Sequence, residues 1–572
     1  METPIRRLVL LVVLATLLGL AGGAAAWALL RLIALLTNLA LFQRVAWNLP
    51  SFAHLRPSPW IPLVAAGGGL VVALLARWSP VIKGHGIPEA MEAILTKQSR
   101  ISPRAALAKP LSAAIAIGTG GPFGAEGPII VTGGAIGSLV GQILPVSPSE
   151  RKILLASGAA AGMAATFGTP LAAVVLAIEL LLFEFSTRAF VPLVVSSAIA
   201  AGVHSAIFGS GPLFAVPPND YAGLEKLPFY AFLGLCCGVI AIVVTKGLFV
   251  VEAGYRRLPV PEFWHPVIGG VLFGLIGLVV PRALGVGYDS IDAVLAGRLA
   301  LGTLLALGFG KLVAWWVALG SGTSGGTLAP ILLISGCFGS ALGIGVEHLV
   351  PGLGLAPGAV ALVAMAAVFG ASTRATFASI VFLFELTGDY QVILPLMVAT
   401  VLANMVMSAV LPDSIMTEKL TRRGLRVSTE FAVDVLSTTR VCDVMTPEVR
   451  TIDPATTIGE ARKRFESNGH GAYPIVRDGS LVGIVARGDL LIEQVSETDP
   501  VMEVASTDVV TAAPDEPLVE VLQRMLQEGV EHLPVTDGDG RLLGICTRTD
   551  ILRARERQFE HERLQRGWGG VL

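Results

Sequence analysis

The sequence predicts a polytopic α-helical membrane protein with broken helices, followed by a soluble α/β unit. Two observations predict this fold class: an uneven distribution of charge and a long series of apolar segments. Of the 572 residues, 53% are hydrophobic and 15% are charged, whereas soluble domains usually contain about 25% charged residues. Residues 1–412 hold 38 of the 84 charged residues, and residues 413–572 hold the other 46. The first part therefore has the composition of a membrane protein and the second that of a soluble one.

Composition also excludes several classes of function. The formal net charge is −2, so there is no global positive field to attract nucleic acid. The five cysteines form no CxxC pair and have no histidines at metal-ligand spacing, which is typical of unpaired residues in a reducing compartment. The apolar part carries no nucleophile–base motif and no metal motif of an enzyme. We therefore expect neither catalysis nor a required cofactor or metal.

The apolar segments define the membrane topology. Arg6 and Arg7 precede an apolar run from Leu8 to Leu30, and ten further apolar segments follow up to residue 411. With so many segments, the first is expected to be a retained span and not a cleaved signal peptide. Lys and Arg accumulate on the cytoplasmic side of membrane proteins, so Arg6, Arg7 and the pair Arg422–Arg423 indicate cytoplasmic ends. We expect a multi-pass protein of the inner (plasma) membrane with a cytoplasmic tail.

Three glycine-rich breaks interrupt the apolar part: residues 84–89 (GHGIPE), 120–128 (GGPFGAEGP) and 325–330 (GGTLAP). In each break glycines precede a proline, which suits the first turn of a helix. Irregular backbone is tolerated at membrane depth only where it is buried in protein or lines a water-filled site. A helix that begins there points its free N–H groups and a partial positive charge at that site. Three such helix starts predict an anion-binding site that needs no full cation.

An internal repeat supports a transport site. Residues 161–168 (AGMAATFG), followed by Glu179, are similar to residues 363–370 (VAMAAVFG), followed by Glu385. Duplicated halves with broken helices are typical of transporters whose site lies between the halves. Glu126 lies within the second break, where a carboxylate can occupy the place of an anion and leave it once protonated. We therefore predict that Glu126 is both gate and proton carrier, whereas Glu179 and Glu385 fit a structural role and a proton relay equally well.

The three breaks, in this order and spacing, resemble motifs of the CLC family of chloride channels and chloride/proton exchangers. Gly84–Pro88 is similar to the family's GSGIP motif, Gly124–Pro128 to G(K/R)EGP and Gly326–Pro330 to GxFxP. The resemblance covers about residues 10–425. It implies that residues 1–425 form an anion-conducting domain whose inverted halves are about residues 10–208 and 225–420. It also implies a homodimer of two separate pores.

The resemblance implies roles for individual residues as well. Glu126 would be the gating glutamate. The residues placed around the central anion lie in two of the breaks and in one late loop: His85, Gly86, Ile87, Thr327, Leu328 and Met416. Chloride is the expected anion, and protons are a candidate second substrate.

Three departures from the family's motifs bear on the mechanism. His85 and Met416 stand where the family has its anion-coordinating serine and tyrosine, so the imidazole N–H is the remaining side-chain donor. The internal proton-transfer glutamate of the exchangers falls at Leu180, which carries no proton. These residues favour passive or weakly coupled anion transport. Two alternatives stay open: a proton-coupled antiporter that uses Glu179 or Glu184, and a pore for another anion such as fluoride or nitrate.

A second repeat lies in residues 440–556. Each copy has a strand around a proline, at 472–476 or 532–535, and then a glycine followed six residues later by Asp489 or Asp550. Short strands flank amphipathic helices at about 457–468 and 516–528, a β-α-β-β-α pattern. The pattern resembles a pair of CBS domains, about residues 440–495 and 500–556, in a unit of residues 426–556. Residues 557–572 form a charged tail.

The CBS resemblance implies a candidate ligand. CBS pairs often bind adenine nucleotides between their copies, so Asp489 and Asp550 would contact ribose and Thr547 a phosphate. The first copy has Ala486 in place of the hydroxyl, and at most one complete nucleotide site is expected. A nucleotide-dependent regulatory unit and a purely structural dimerisation module are the two alternatives.

Overall fold

The computed structural model describes residues 4–82, 84–183, 185–214, 216, 224–425, 436, 439–491 and 495–556. The chain divides into two compact units, residues 1–430 and 431–572. The helices of the first unit are α1 (Pro4–Phe42), α2 (Trp60–Trp78), α3 (Ile87–Thr96), α4 (Pro103–Gly118), α5 (Glu126–Ile143), α6 (Pro148–Phe167), α7 (Pro170–Ala177), α8 (Thr187–Phe208), α9 (Leu227–Arg257), α10 (His265–Val279), α11 (Tyr288–Leu295), α12 (Leu301–Gly320), α13 (Leu328–Leu349), α14 (Pro357–Thr373), α15 (Thr376–Thr387), α16 (Ile393–Val410) and α17 (Glu418–Arg422).

Eight helical segments among the described residues are long and apolar enough to cross a membrane. They contain α1, α2, α8, α9, α10, α12, α13 and α16. Large apolar side chains such as Phe232, Val239 and Val243 are exposed on α9. Contact of such a surface with water costs free energy, whereas contact with lipid does not. The predicted polytopic helical membrane fold is confirmed.

Helices also begin at the predicted breaks. Gly86, with φ +98°, precedes α3, and α5 begins at Glu126 itself. At the repeated motif, Gly168 (φ +69°) ends α6 and Arg374 (φ +60°) ends α14. A short helix, α7 or α15, then starts after two intervening residues. The apolar sequence around the first copy of this motif is therefore divided between two helices, α6 and α7.

The two halves make the same contact in opposite directions. Glu179, just beyond α7, accepts hydrogen bonds from the amides of Phe377 and Ala378 at the start of α15, at 3.2 and 2.9 Å. Glu385, near the end of α15, accepts hydrogen bonds from two amides at the start of α7, at 3.0 and 2.8 Å. Such a reciprocal exchange brings the two short helices together with opposite directions. It agrees with the inverted halves that the sequence resemblance implies.

The second unit contains two copies of the predicted pattern. Strand β1 (Ala472–Arg477) pairs antiparallel with β2 (Ser480–Ala486), and β3 (His532–Thr536) pairs antiparallel with β4 (Leu542–Thr547). Single parallel bridges add Ile452 to the first pair and Ala512 to the second. One helix accompanies each copy, α18 (Ile458–Asn468) and α19 (Leu518–Glu528). Each copy has its own apolar core, so the predicted repeat of two small sheet-containing units is confirmed.

Candidate functional site

The second and third breaks meet at their glycines. Gly124 and Gly326 exchange both backbone hydrogen bonds, at 3.2 and 2.9 Å, and form a single antiparallel bridge. This bridge brings the first turns of α5 and α13 to the same place. Each first turn carries amides without helical partners and a partial positive charge. The two helix starts therefore form one pole that attracts negative charge.

The Glu126 carboxylate lies at this pole. The residue is 1% exposed, and its Oε1 accepts a hydrogen bond from the Tyr288 hydroxyl at 3.1 Å. Its Oε2 has no hydrogen-bond partner among the described residues and lies against Gly124 and Gly326. A Cβ on Gly124 would lie 1.6 Å from Oε2, and one on Gly326 would lie 2.7 Å from it. Only glycine at these two positions leaves room for the carboxylate.

His85 lies beside the same pole, in the first break. It is 1% exposed, and its carbonyl oxygen packs so closely on Gly127 that a Cβ there would lie 2.2 Å away. Neither ring nitrogen has a hydrogen bond within the described part of the chain, although the Ile415 carbonyl faces the ring. A buried imidazole without partners is costly. Its N–H is therefore a donor available to a ligand.

The other predicted anion-binding residues surround this place. Gly86 and Ile87 begin α3, and Thr327 and Leu328 begin α13, all of them buried. Met416 is 1% exposed and donates its backbone N–H to Ser414 Oγ at 3.2 Å. Its thioether offers no hydrogen-bond donor. The available donors are thus backbone amides and the His85 ring.

The site is expected to need no full cation, and two buried lysines lie close to it. Lys109 of α4 is 1% exposed and donates to the carbonyl oxygens of Ile82 and Gly84, at 2.7 and 2.6 Å. Lys311 of α12 is fully buried and donates to the Gly285 carbonyl at 2.7 Å. Both ammonium groups thus donate to backbone carbonyls of irregular segments close to the helix starts, and they support that backbone.

Sequence reasoning missed this lysine pair although a signal was present. The repeated motif at 161–168 and 363–370 recurs after 202 residues, and Lys109 and Lys311 are also 202 residues apart. Applied to the whole chain, the same spacing relates Gly124 to Gly326. Tyr288 carries no such signal, because its contact with Glu126 joins the two halves.

Glu179, one of the candidate internal proton acceptors, makes its hydrogen bonds away from this pole. Both carboxylate oxygens of Glu179 accept backbone amides of α15, which favours the structural role left open for this residue. Leu180 is 4% exposed and belongs to the apolar core. Glu184 lies outside the described residues.

The soluble unit has a separate cavity of about 510 Å³. Both copies contribute polar residues to its lining, among them Arg450, His470, His532, Thr547, Asp550 and Arg553. Asp550 Oδ2 accepts hydrogen bonds from the Thr547 amide at 2.9 Å and from the Thr547 hydroxyl at 2.7 Å. Asp489 accepts a hydrogen bond from the Ala486 amide at 2.8 Å but does not line this cavity.

Positive charge in this cavity comes from arginine, and Glu448 and Asp550 add carboxylate groups. Burial lowers the pKa of His532 below its usual value, so this imidazole is neutral at pH 7. Arg450 and Arg553 contribute guanidinium groups to the lining. The cavity therefore presents fixed positive charge, hydroxyl and carboxylate groups together.

Comparison with known proteins finds a matching family model for each of the two units. The chain matches the model of voltage-gated chloride channels over residues 67–408 and that of the CBS domain over residues 441–496 and 501–557. It is 31% identical to the H(+)/Cl(-) exchange transporter ClcA of Vibrio campbellii, over 67% of this chain and 84% of the relative. It is 30% identical to a ClcB-like protein of Ralstonia nicotianae, provisionally named a chloride channel, over 65% of this chain and 88% of the relative. The crystal structure of a slow cyanobacterial Cl−/H+ antiporter superposes with a TM-score of 0.64 at 27% identity, over 74% of this chain and 99% of that one.

Proposed function

The chain belongs to the CLC family of anion transporters, and on this premise we propose that it conducts chloride along a pathway gated by Glu126. One observation carries the proposal. The buried Glu126 carboxylate occupies the junction of the first turns of α5 and α13, where the amides would otherwise meet an anion. A charged carboxylate and a chloride ion compete for this positive pole. Protonation removes the charge of the carboxylate, and the side chain then yields the place to the anion.

The donors around the pole bear on which anion is bound. With His85 and Met416 in place of two hydroxyl residues, the anion meets backbone amides and an imidazole N–H. Chloride fits this set of weak donors, and the buried ammonium groups of Lys109 and Lys311 add attraction without closing the site. Fluoride and nitrate are the alternative anions, and flux measured separately with each ion distinguishes them.

Proton-coupled exchange is the second candidate function. It is supported by the 31% identity to a protein named an H(+)/Cl(-) exchange transporter. Leu180 at the position of the exchangers' internal glutamate argues against tight coupling, because an apolar side chain transfers no proton. We therefore propose passive or weakly coupled transport.

Proteoliposome flux tests the proposed function. Chloride, fluoride, nitrate and bromide efflux are recorded in parallel with the pH of the medium. We expect chloride efflux that rises as pH falls, with little proton movement against the anion gradient. Proton uptake at a fixed ratio to chloride would show exchange and contradict passive conduction. Efflux that does not depend on pH would contradict the gating role of Glu126.

Glu179 and Glu385 allow a matched test of the proton route. Each carboxylate accepts two amides at a helix start, so Glu179→Gln and Glu385→Gln remove equivalent interactions. A charged acceptor at a helix start contributes about 0.5–2 kcal/mol. We expect both variants to lower the melting temperature in detergent by similar amounts and to leave the ratio of protons to chloride unchanged. A change of that ratio in Glu179→Gln alone would assign Glu179 to the proton route.

We propose that the CBS pair binds one adenine nucleotide in the 510 Å³ cavity and thereby regulates transport. Asp550 and Thr547 suit ribose and phosphate oxygens, and Arg450 and Arg553 suit phosphate charge. Asp489 is outside this cavity, which agrees with at most one complete site.

Nucleotide binding to the full chain in detergent tests this proposal by calorimetry with ATP, ADP and AMP. Loss of one hydrogen bond to a charged group costs about 1.5–3 kcal/mol, so Asp550→Ala is expected to weaken binding by roughly tenfold or more. Asp489→Ala is the matched control, since its carboxylate makes the equivalent backbone contact in the first copy. Equal weakening by both variants, or no heat with any nucleotide at millimolar concentration, would contradict the assignment and favour a structural module.

Topology and assembly complete the proposal. Arg6 and Arg7 at the start of α1 and Arg422 after α16 favour cytoplasmic ends of the membrane unit and a cytoplasmic CBS pair in the inner (plasma) membrane. A homodimer is expected from the family. Cross-linking of the purified protein in lipid measures the dimer.

A further inference from the structure

The Tyr288 hydroxyl connects the second half of the membrane unit to the gate in the first half. Tyr288 is the first residue of α11, directly after Gly287 with φ +85°. Its hydroxyl donates to Glu126 Oε1 at 3.1 Å across 162 residues of sequence. We propose that Tyr288 is a positioning residue whose hydroxyl holds the charged Glu126 carboxylate in the closed position and so sets the pH at which the gate opens. This inference rests on the proposed gating role of Glu126.

The ring of Tyr288 is held so that its hydroxyl points in one direction. Phe167 and Phe214 pack against it in edge-on geometry, with ring centroids 6.3 and 6.2 Å away. Phe167 is itself fixed by Phe382, at 5.1 Å. A donor already ordered by packing loses little conformational entropy when its hydrogen bond forms. The hydroxyl therefore stabilises the carboxylate more than a mobile side chain would.

Tyr288 also borders two cavities of the membrane unit. It lines two cavities, of about 250 and 220 Å³, that share residues of the segment between α1 and α2. In this segment Ser51 donates to Asp289 Oδ2 at 2.5 Å. The cavities are thus at the end of the unit where α1 finishes, opposite to the end where it starts. Tyr288 thus contacts Glu126 and borders both cavities.

Other charged groups face the Glu126 carboxylate and remain when Tyr288 is changed. Lys311 of α12 acts on it directly and is in turn attracted by Asp289 of α11. His85 and Lys109 lie on the side of α3 and α4. The ionisable residues of α6, which packs along α5, are in its first turns at the far end, where Arg151 donates to the Gly141 carbonyl at 2.8 Å. Because these groups are the same in wild type and Tyr288→Phe, a difference in the pH midpoint of efflux between the two proteins is caused by loss of the Tyr288 hydroxyl.

The sign of the effect follows from the charge state. A hydrogen bond to a charged acceptor is about twice as strong as one between neutral groups, so Tyr288 favours the deprotonated, closed gate. Tyr288→Phe keeps the ring and removes the donor. Glu126 then takes up a proton at a higher pH, and the gate opens under less acidic conditions. We expect the pH midpoint of chloride efflux to rise by about one unit.

Chloride efflux from proteoliposomes over a pH series measures the midpoint in wild type, Tyr288→Phe and Tyr255→Phe. Tyr255 supplies the control, because its hydroxyl is buried in the same unit without a described partner; its loss is expected to leave the midpoint unchanged. A Tyr288→Phe variant that changes the rate by the same factor at every pH would overturn the proposal, since that is the signature of a purely structural role.

The double variant separates this inference from the gate itself. In a Glu126→Gln background, Tyr288→Phe is expected to have no further effect on the pH profile. If Glu126→Gln alone keeps the wild-type pH dependence, the gate assignment fails and Tyr288 has nothing to position. If Glu126→Gln abolishes pH dependence while Tyr288→Phe leaves the midpoint in place, only the inference on Tyr288 fails.

Discussion

Glu126→Gln is expected to make chloride efflux independent of pH while transport continues. Glutamine has the shape of the protonated acid and carries no charge, so it does not compete with an anion for the pole formed by α5 and α13. Efflux at pH 7.5 is expected to equal or exceed the wild-type rate at acid pH. Any movement of protons coupled to chloride is expected to disappear, because the amide does not take up a proton.

Proteoliposomes loaded with chloride and a pH-sensitive dye measure both quantities for this variant. Glu385→Gln is a suitable control, since it neutralises another carboxylate of the membrane unit whose hydrogen bonds lie at the start of α7. A Glu126→Gln protein that folds but carries no chloride at any pH would contradict the gating role. A pH profile identical to that of the wild type would do so equally.

Lys109→Met is expected to weaken both the fold and the anion site. The ammonium group donates to the carbonyl oxygens of Ile82, just before the first break, and Gly84, at its start. Methionine fills a similar volume and offers no donor, so two buried carbonyls lose their partner, each at a cost of about 1–3 kcal/mol. Removal of a buried charge returns part of this cost, and we expect a net loss of about 2–4 kcal/mol in the free energy of unfolding.

The loss of Lys109 also changes anion affinity. Its positive charge lies behind His85, and the backbone that it stabilises leads directly into α3. We expect chloride to bind at least tenfold more weakly, as measured by calorimetry in detergent. Arg104→Met, on the exposed face of the same helix, is the control for loss of a basic residue. Unchanged melting temperature and chloride affinity in Lys109→Met would show that Lys109 has no role in the site.

Lys311→Met provides an internal comparison for the same prediction. Lys311 donates to one carbonyl, that of Gly285, and also acts on Glu126. Its removal is therefore expected to destabilise the fold about half as much as removal of Lys109. Comparison of the free energy of unfolding and the chloride affinity in the two variants separates the support of the backbone from the attraction of the anion.

Local patterns were predicted well from the sequence. Gly86 precedes a helix start because glycine adopts positive φ without steric cost, and this preference belongs to the residue and its neighbours. The position of Glu126 at a helix start and the alternating strands of the CBS pair are local in the same sense. Such features depend on residues that are neighbours in the chain, so they can be predicted from the sequence.

Contacts between segments distant in sequence were not predicted. Lys109 and Lys311 donate to backbone carbonyl groups, such as those of Gly84 and Gly285, that come close to the ammonium groups only in the folded chain. Glu179 was open between two roles until α15 placed its amides against the carboxylate. A hydrogen bond forms with whichever group is near in space, and linear spacing does not contain that distance.

The sequence by itself determined where helices break, which carboxylate lies in a break and that a soluble repeat follows the membrane unit. Those features depend on the backbone preferences of glycine and proline and on the periodicity of apolar residues. The tertiary structure alone decided that Gly124 meets Gly326, that Tyr288 binds Glu126 and that Lys109 and Lys311 donate to backbone carbonyls. The physical reason is that these contacts join residues from 25 to more than 200 positions apart, and only the folded chain brings them within hydrogen-bond distance.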